Sequence, residues 1–171
     1  MRPDLTLFAF AAAAASAVPV AAADLTITFD LPRQKIAEYH RPYVAIWLER
    51  PDQTVAGTLA VLYETGREAH GQRYLKELRQ WWRKVGRELT FPVDGVSGAT
   101  RAPGPQVMTF KASAGALATL PPGQYELVVE AAREAGGRES LRLPLTWPAK
   151  RGQAAKTAGA SELGAVRLTA R

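Results

Sequence analysis

The chain contains no cysteine. Disulfides, thiolate metal sites, cysteine nucleophiles and cysteine-linked lipid anchors are therefore excluded. It has only two histidines, His40 and His70, and their separation matches no metal-ligand spacing. A GxxxxGKS/T phosphate loop, a GxGxxG dinucleotide loop and a nucleophile elbow are also absent from the sequence. A hydrolase consequently has little support, because no nucleophile or acid–base pair is organised by these residues.

The carboxylates offer no catalytic pattern either. Glu38, Glu64 and Glu130 fall within ordinary polar alternation and are interpreted as solvated side chains. The formal net charge is +6, and the excess is mostly arginine scattered along the chain. Such a charge favours acidic partners or surfaces. No basic-aromatic recognition motif appears, so a nucleic-acid partner is not expected.

The N-terminus has the features of an export signal. Arg2 is followed by an alanine-rich apolar run over residues 5–20, which is short for a transmembrane helix. Ala21-Ala22-Ala23 then gives a small-residue cleavage site before Asp24. We interpret residues 1–23 as a signal peptide that directs the protein to the periplasm. The alternative is a membrane anchor that stays attached.

Most of the remaining chain has strand patterns. Residues 24–31 alternate polar and apolar, which predicts a half-buried strand that stops at Pro32. Further strands are predicted over residues 43–48, 58–63, 106–111, 124–133 and 138–147, with turn residues between them. About seven short strands predict a mainly β domain over residues 24–148, an immunoglobulin-like antiparallel β-sandwich. Residues 149–171 are interpreted as a flexible linker with a possible C-terminal edge strand.

One segment changes to a helical period. Over residues 74–85 the apolar side chains fall on one face, which predicts an inserted amphipathic helix of about three turns. Trp81 and Trp82 are interpreted as packing of one ring against the sheet, with the other ring on the surface. The alternative is that the exposed ring forms a stacking platform for a flat ligand.

Two loops could contact a ligand. Residues 39–42, Tyr-His-Arg-Pro, are either a plain loop or an anion and aromatic-edge contact set. Residues 94–100, Asp-Gly-Val-Ser-Gly-Ala-Thr, present two hydroxyls, a carboxylate and two glycines without a hydrophobic period. Glycine permits close backbone approach, and its small neighbours leave Thr100 sterically open. This loop is either a functional site or a turn that connects the helix to the next strand.

The second loop resembles the covalent flavin attachment motif of bacterial FMN-carrying subunits. That motif has an acidic residue, two variable residues and a Ser/Thr-Gly-Ala-Thr/Ser run, and an exported flavin transferase joins FMN to its last hydroxyl. The resemblance makes Asp94 the acidic position, Ser97-Gly98-Ala99 the core, and Thr100 the acceptor. The motif often has another hydroxyl two positions later, but here Arg101-Ala102-Pro103 follows. Arg101 is a candidate partner for the flavin phosphate, and Arg41 is a second one.

A second resemblance extends from about residue 24 to residue 147. Residues 40–47, 75–82, 94–103, 123–125 and 130–134 look like a bacterial periplasmic family that is known only as a domain of unknown function. Members tend to be encoded beside exported flavin transferases and membrane redox proteins with PepSY-type domains. This resemblance implies an electron carrier with FMN on Thr100, rather than a stand-alone enzyme. The alternative is a cofactor-free periplasmic binding or assembly module.

Overall fold

The computed structural model describes residues 22–66 and 68–171. The predicted signal peptide lies almost entirely outside this part of the chain and stays a prediction. Within the described residues, no helix is both long enough and apolar enough to cross a membrane.

The described part of the chain is mainly β and forms two sheets. The strands are β1 (Leu25–Leu31), β2 (Tyr43–Glu49), β3 (Val55–Tyr63), β4 (Ser97–Ala99), β5 (Gly104–Phe110), β6 (Gly123–Ala132), β7 (Arg138–Trp147), β8 (Ala154–Ala158) and β9 (Ala165–Ala170). One sheet has the strand order β5-β1-β9-β8, and the other has the order β4-β3-β2-β6-β7. Neighbouring strands are antiparallel, except that β4 runs parallel to β3.

The two faces of the five-stranded sheet bury different clusters. In β2, Val44, Ile46 and Leu48 join a core shared with the four-stranded sheet, which contributes the alternating apolar residues of β1. The intervening residues of β2, among them Tyr43 and Trp47, pack on the opposite face beneath a helical layer. Since successive side chains of a strand point to opposite faces, the apolar run of β2 continues as far as Leu48 because both faces of the strand are covered. The two packed sheets agree with the predicted layers, whereas the immunoglobulin-like plan stays a prediction.

The helical layer differs from the predicted continuous helix over residues 74–85. It contains α1 (Glu68–Arg73), a 3₁₀ turn at Leu75–Glu77, α2 (Arg79–Lys84) and a second 3₁₀ turn at Gly86–Glu88. The prediction of one helix is wrong because Leu78 leaves helical geometry, with ψ at 68°, and its N–H bonds to the carbonyl of Leu75. The predicted buried face is confirmed in part, since Leu75, Leu78 and Trp81 are fully buried.

The C-terminal region is also more ordered than predicted. Residues 149–171 contain β8 and β9, so the expected flexible linker is replaced by a strand over part of its length. β9 lies between β1 and β8, and the edge position of that sheet belongs to β8. Val166 and Leu168 of β9 are buried in the shared core. The tail is therefore an integral part of the four-stranded sheet.

A short helix, α3 (Gly115–Ala118), precedes β6.

Candidate functional site

The loop before Thr100 begins with a closed turn. Gly95 has a positive φ of 67°, a conformation that glycine adopts at little cost. The N–H of Ser97 donates to the carbonyl of Val93 at 2.9 Å, and the Ser97 hydroxyl accepts from the N–H of Val93 at the same distance. Asp94, at the tip of the turn, is exposed. Ser97 therefore holds the turn together, and Asp94 is left accessible.

The residues after the turn form an edge strand rather than a free loop. Ser97, Gly98 and Ala99 pair in parallel with Val61, Leu62 and Tyr63 of β3. A Cβ on Gly98 would lie 3.0 Å from a terminal carbon of Leu62, so glycine allows this close approach. The sequence predicts a flexible loop here, but the pairing with β3 fixes its backbone.

Thr100 lies at the end of this edge strand. Its N–H donates to the carbonyl of Tyr63 at 3.0 Å, and its side chain is only partly buried. The preceding residue, Ala99, is exposed. The Thr100 hydroxyl is thus not enclosed in the core, and its backbone position is set by β3.

Thr100 borders a polar cavity of about 520 Å³. The cavity forms where the start of β2 meets the ends of β3 and β6, because β2 is antiparallel to both of these neighbours. Its remaining lining residues come from the segment before β2 (Tyr39, His40 and Arg41), from the first residue of β2 (Tyr43), from just after β3 and β6 (Glu64 and Glu134) and from α1 (His70). Residues that are distant in sequence thus surround one concave site.

The cavity contains both histidines of the chain. Nδ1 of His40 lies 3.8 Å from a carboxylate oxygen of Glu134. The ring of His70 meets the ring of Tyr74 edge-on, with centroids 5.0 Å apart. The side chain of Arg41 is exposed and forms no ion pair with any residue in the described part of the chain. Arg41 therefore provides an uncommitted cation at the cavity wall.

Two tyrosine hydroxyls beside the cavity differ in their partners. Tyr43 donates its hydroxyl proton to the carbonyl of Gly71 at 3.1 Å, and burial raises the pKa of Tyr43 to about 12. The hydroxyl oxygen of Tyr39 is buried and lacks a hydrogen-bond partner among the described residues. Burial also raises the pKa of Tyr39. Both phenols stay protonated near neutral pH, and the Tyr39 group has unused hydrogen-bonding capacity.

Comparison with known protein families gives one match. Residues 24–165 fit the family model described as "Predicted periplasmic protein (DUF2271)". The chain belongs to the DUF2271 family. The match covers the five-stranded sheet, the edge strand before Thr100 and the whole cavity. No curated protein and no solved structure gives a significant match.

The family match agrees with the periplasmic location expected from the sequence. It describes a predicted periplasmic protein and assigns no activity. The resemblance to a periplasmic family of unknown function is thus confirmed, whereas the flavin attachment motif stays a prediction.

The fold of this DUF2271 domain brings together only some of the residues that the sequence singled out. Thr100 and Arg41 line the same cavity, but Arg101 does not, although it follows Thr100 directly. Trp81 is fully buried, and its indole N–H donates to the hydroxyl of Thr58 at 3.1 Å. Trp81 is therefore a core residue, while the partly buried Trp82 borders a separate groove.

Sequence analysis missed the role of several polar residues. Glu130 is fully buried, contrary to its interpretation as a solvated side chain, and Glu64 lies partly buried on the cavity wall. His40 and His70 line the same cavity, but their spacing in the sequence does not indicate this. Within residues 22–66 and 68–171, no group of three or more histidine, aspartate or glutamate side chains is placed to hold a metal ion.

Proposed function

We propose that this DUF2271 protein carries FMN on Thr100 and transfers electrons between membrane and periplasmic redox partners. The observation that carries the proposal is the position of Thr100, the acceptor in the Asp94–Thr100 motif, on the wall of a polar cavity. FMN supplies the redox chemistry when bound, and the protein holds the group and sets its surroundings. We retain the immunoglobulin-like sandwich as part of the proposal, since two packed sheets of short strands support it.

The attachment reaction requires a separate enzyme, an exported flavin transferase. The Thr100 hydroxyl oxygen forms a bond to the phosphorus on the flavin side of the FAD pyrophosphate. The bond from that phosphorus to the bridging oxygen breaks, and AMP leaves with the electron pair. The hydroxyl proton is removed by the transferase, whose metal ion polarises the pyrophosphate. The chain itself must only present an accessible hydroxyl.

The edge strand suits such presentation. β4 is the terminal strand of its sheet, so only one of its sides pairs within the domain. The free side of an edge strand is open to pairing with another protein. Asp94 and Ala99 are exposed beside it. The transferase would therefore meet the acidic position and the acceptor on a backbone of defined geometry.

The cavity has the size and chemistry for part of a flavin nucleotide. Its volume of about 520 Å³ lies within the usual range of small-molecule sites, roughly 300–1,000 Å³. Arg41 can donate to a phosphate or to a ring carbonyl. The buried Tyr39 hydroxyl is a further polar group without a partner in the described part of the chain. Glu64 and Glu134 would repel a phosphate, so Arg41 is the expected phosphate contact.

Intact mass spectrometry tests the attachment. The protein is co-expressed with its transferase, and we expect a mass increase equal to FMN minus water together with flavin absorbance. Thr100→Ala should lose both signals, and Thr100→Ser should keep them because it preserves the hydroxyl. Thr90→Ala, at an exposed threonine close to the loop, is the matched control and should be modified like the wild type. Absence of the mass increase, or its persistence in Thr100→Ala, would refute the proposal.

The second candidate function is a cofactor-free periplasmic binding or assembly module. It is favoured by a groove rich in arginine on the helical layer, which is separate from the cavity. A protein with this function alone would purify colourless and unmodified even with the transferase present.

A further inference from the structure

A second concave surface lies on the helical layer. It is a groove of about 440 Å³, and its lining residues are long cationic side chains, one amide and one indole: Lys76, Arg79, Gln80, Trp82, Arg83 and Arg138. We call it the arginine groove. None of its lining residues is acidic.

The positive charge of the arginine groove is largely unneutralised. Lys76, Arg79 and Arg83 form no ion pair with residues 22–66 or 68–171, and Nε of Arg83 donates to the backbone carbonyl of Arg79 at 3.2 Å. Among the groove cations, Arg138 forms an ion pair within the described residues, with its Nε 3.8 Å from an oxygen of the buried Glu130, and the charge of Arg83 also acts on that carboxylate. Several cations around one concavity attract an anionic ligand.

The wall of the groove is held in place by the core beneath it. The N–H of Trp82 donates to the carbonyl of Leu78 at 2.7 Å. Gly86 lies against both indoles, since a Cβ there would come within 2.9 Å of Trp82 and 2.6 Å of Trp81. The Trp82 ring is therefore packed from one side and partly exposed on the other. A fixed aromatic surface needs little ordering when a ligand binds.

The composition of the groove favours a protein ligand. Arginine and tryptophan are the residues most enriched at energetically important positions of protein interfaces. Guanidinium groups bind carboxylates through paired hydrogen bonds, and a concave surface fits a protruding segment better than a planar bilayer. We propose that the arginine groove docks a partner protein through an exposed segment rich in aspartate and glutamate.

The docked segment would lie near the cavity. Arg138 of the groove and Glu134 of the cavity flank the tight turn between β6 and β7, in which the N–H of Arg133 donates to the carbonyl of Gly137 at 3.1 Å. A partner in the groove would thus lie next to the Glu134 side of the cavity, whereas Thr100 follows β4 at the opposite edge of the five-stranded sheet from β7. Docking does not depend on flavin attachment, so the Thr100→Ala protein should bind the same segment equally well.

A fluorescein-labelled hexaglutamate peptide tests the docking surface by fluorescence anisotropy at low salt. The groove variant is Arg79→Gln/Arg83→Gln, and we expect it to weaken binding about tenfold or more. The matched control is Lys156→Gln/Arg167→Gln, which removes the same charge from two exposed, directly paired residues of β8 and β9 in the other sheet. The control should stay within about twofold of wild type. Unchanged unfolding temperatures verify that both variants are folded.

Three results would overturn the inference. The first is a wild type that does not bind hexaglutamate, and the second is a control variant that weakens binding as much as the groove variant does, which would show attraction to overall charge. The third is binding of phosphatidylglycerol vesicles through Arg79 and Arg83 without binding of hexaglutamate, which would identify a lipid surface as the ligand. Binding of hexaglutamate that is lost only in the groove variant supports the inference.

Discussion

The carboxylate of Glu130 holds the backbone of Trp81. One oxygen of Glu130 accepts the N–H of Trp81 at 3.0 Å, and the other accepts the N–H of Gln80 at 3.1 Å. Glu130 lies on β6 and Trp81 on α2, so these bonds attach the helical layer to the sheet. They also satisfy N–H groups at the start of α2 that have no partner within the helix.

Replacement of this carboxylate should therefore loosen the helical layer. Glu130→Ala leaves the two N–H groups without their acceptor, and we expect a loss of about 1–3 kcal/mol in the free energy of unfolding. The corresponding decrease in unfolding temperature is roughly 2–12 °C. Glu38→Ala, at an exposed glutamate, is the control and should have almost no effect. Equal stability of Glu130→Ala and wild type in thermal unfolding would contradict the anchoring role.

The same variant should have a characteristic pH dependence. Burial raises the pKa of Glu130 above its ordinary value of 4.5, and the two backbone N–H groups offset this only in part. Since the folded pKa exceeds the unfolded one, the contribution of Glu130 is fully present at acidic pH and decreases as the pH rises through the folded pKa. The stability deficit of Glu130→Ala should thus be larger at pH 4 than at pH 7. Urea unfolding at both pH values measures it.

Glu49 should show the opposite dependence. Burial would raise its pKa, but donors from Lys84 at 2.6 Å, Arg142 at 2.7 Å and the Trp47 indole at 2.8 Å together lower it. A lowered folded pKa gives stability that is present above the unfolded value of 4.5 and is lost as the pH falls. Glu49→Gln should therefore destabilise the protein at pH 7 and have less effect below pH 4.5. A deficit that grows on acidification would contradict this assignment.

A buried ion pair connects two segments that adjoin different sheets, one after β6 and one before β9. Arg133, just after β6, donates to both carboxylate oxygens of Glu162, just before β9, at 2.6 and 2.8 Å. Glu162→Ala leaves a buried guanidinium without its anion, which typically costs about 3–5 kcal/mol. The double replacement Arg133→Met/Glu162→Leu should recover most of that loss, because it removes both charges. Chemical denaturation of the three proteins measures this, and a double variant as unstable as Glu162→Ala would contradict it.

Local patterns in the sequence were sufficient for much of the fold. The alternation in residues 24–31 predicted β1, and the apolar positions around Leu75 and Trp81 identified the face that packs on the sheet. These features depend on near neighbours in the chain. The break at Leu78 instead precedes two N–H groups, of Gln80 and Trp81, that donate to Glu130, a residue distant in the sequence.

The candidate site was predicted less completely for the same reason. A short motif was enough to select Thr100, but the cavity around it exists only because β2, β3 and β6 are neighbours. Arg41 and His70 belong to different segments, and no spacing in the sequence relates them.

The strand at residues 154–158 was likewise not predicted, because its small residues form a strand only through pairing with β9.

Variants of Arg41 and Arg101 test whether the proposed flavin binds in the cavity beside Thr100. The resemblance to the attachment motif favours Arg101, which follows the acceptor, whereas the cavity is lined by Arg41. If FMN is attached as proposed, we expect Arg41→Ala to keep it, as measured by intact mass, because the proposed transferase would recognise the 94–100 segment. Its flavin should be held less firmly, with lower fluorescence anisotropy and stronger quenching by iodide. The reason is that Arg41 is the cavity's uncommitted cation.

Arg101→Ala is the matched control, since it removes the same type of side chain one residue from the attachment point. It should leave both fluorescence measurements close to those of the wild type, because Arg101 does not contribute to the cavity wall. A larger effect of Arg101→Ala than of Arg41→Ala would place the flavin outside the cavity. If the flavin is equally mobile in the wild type and in both variants, FMN is attached to Thr100 but does not bind in the cavity.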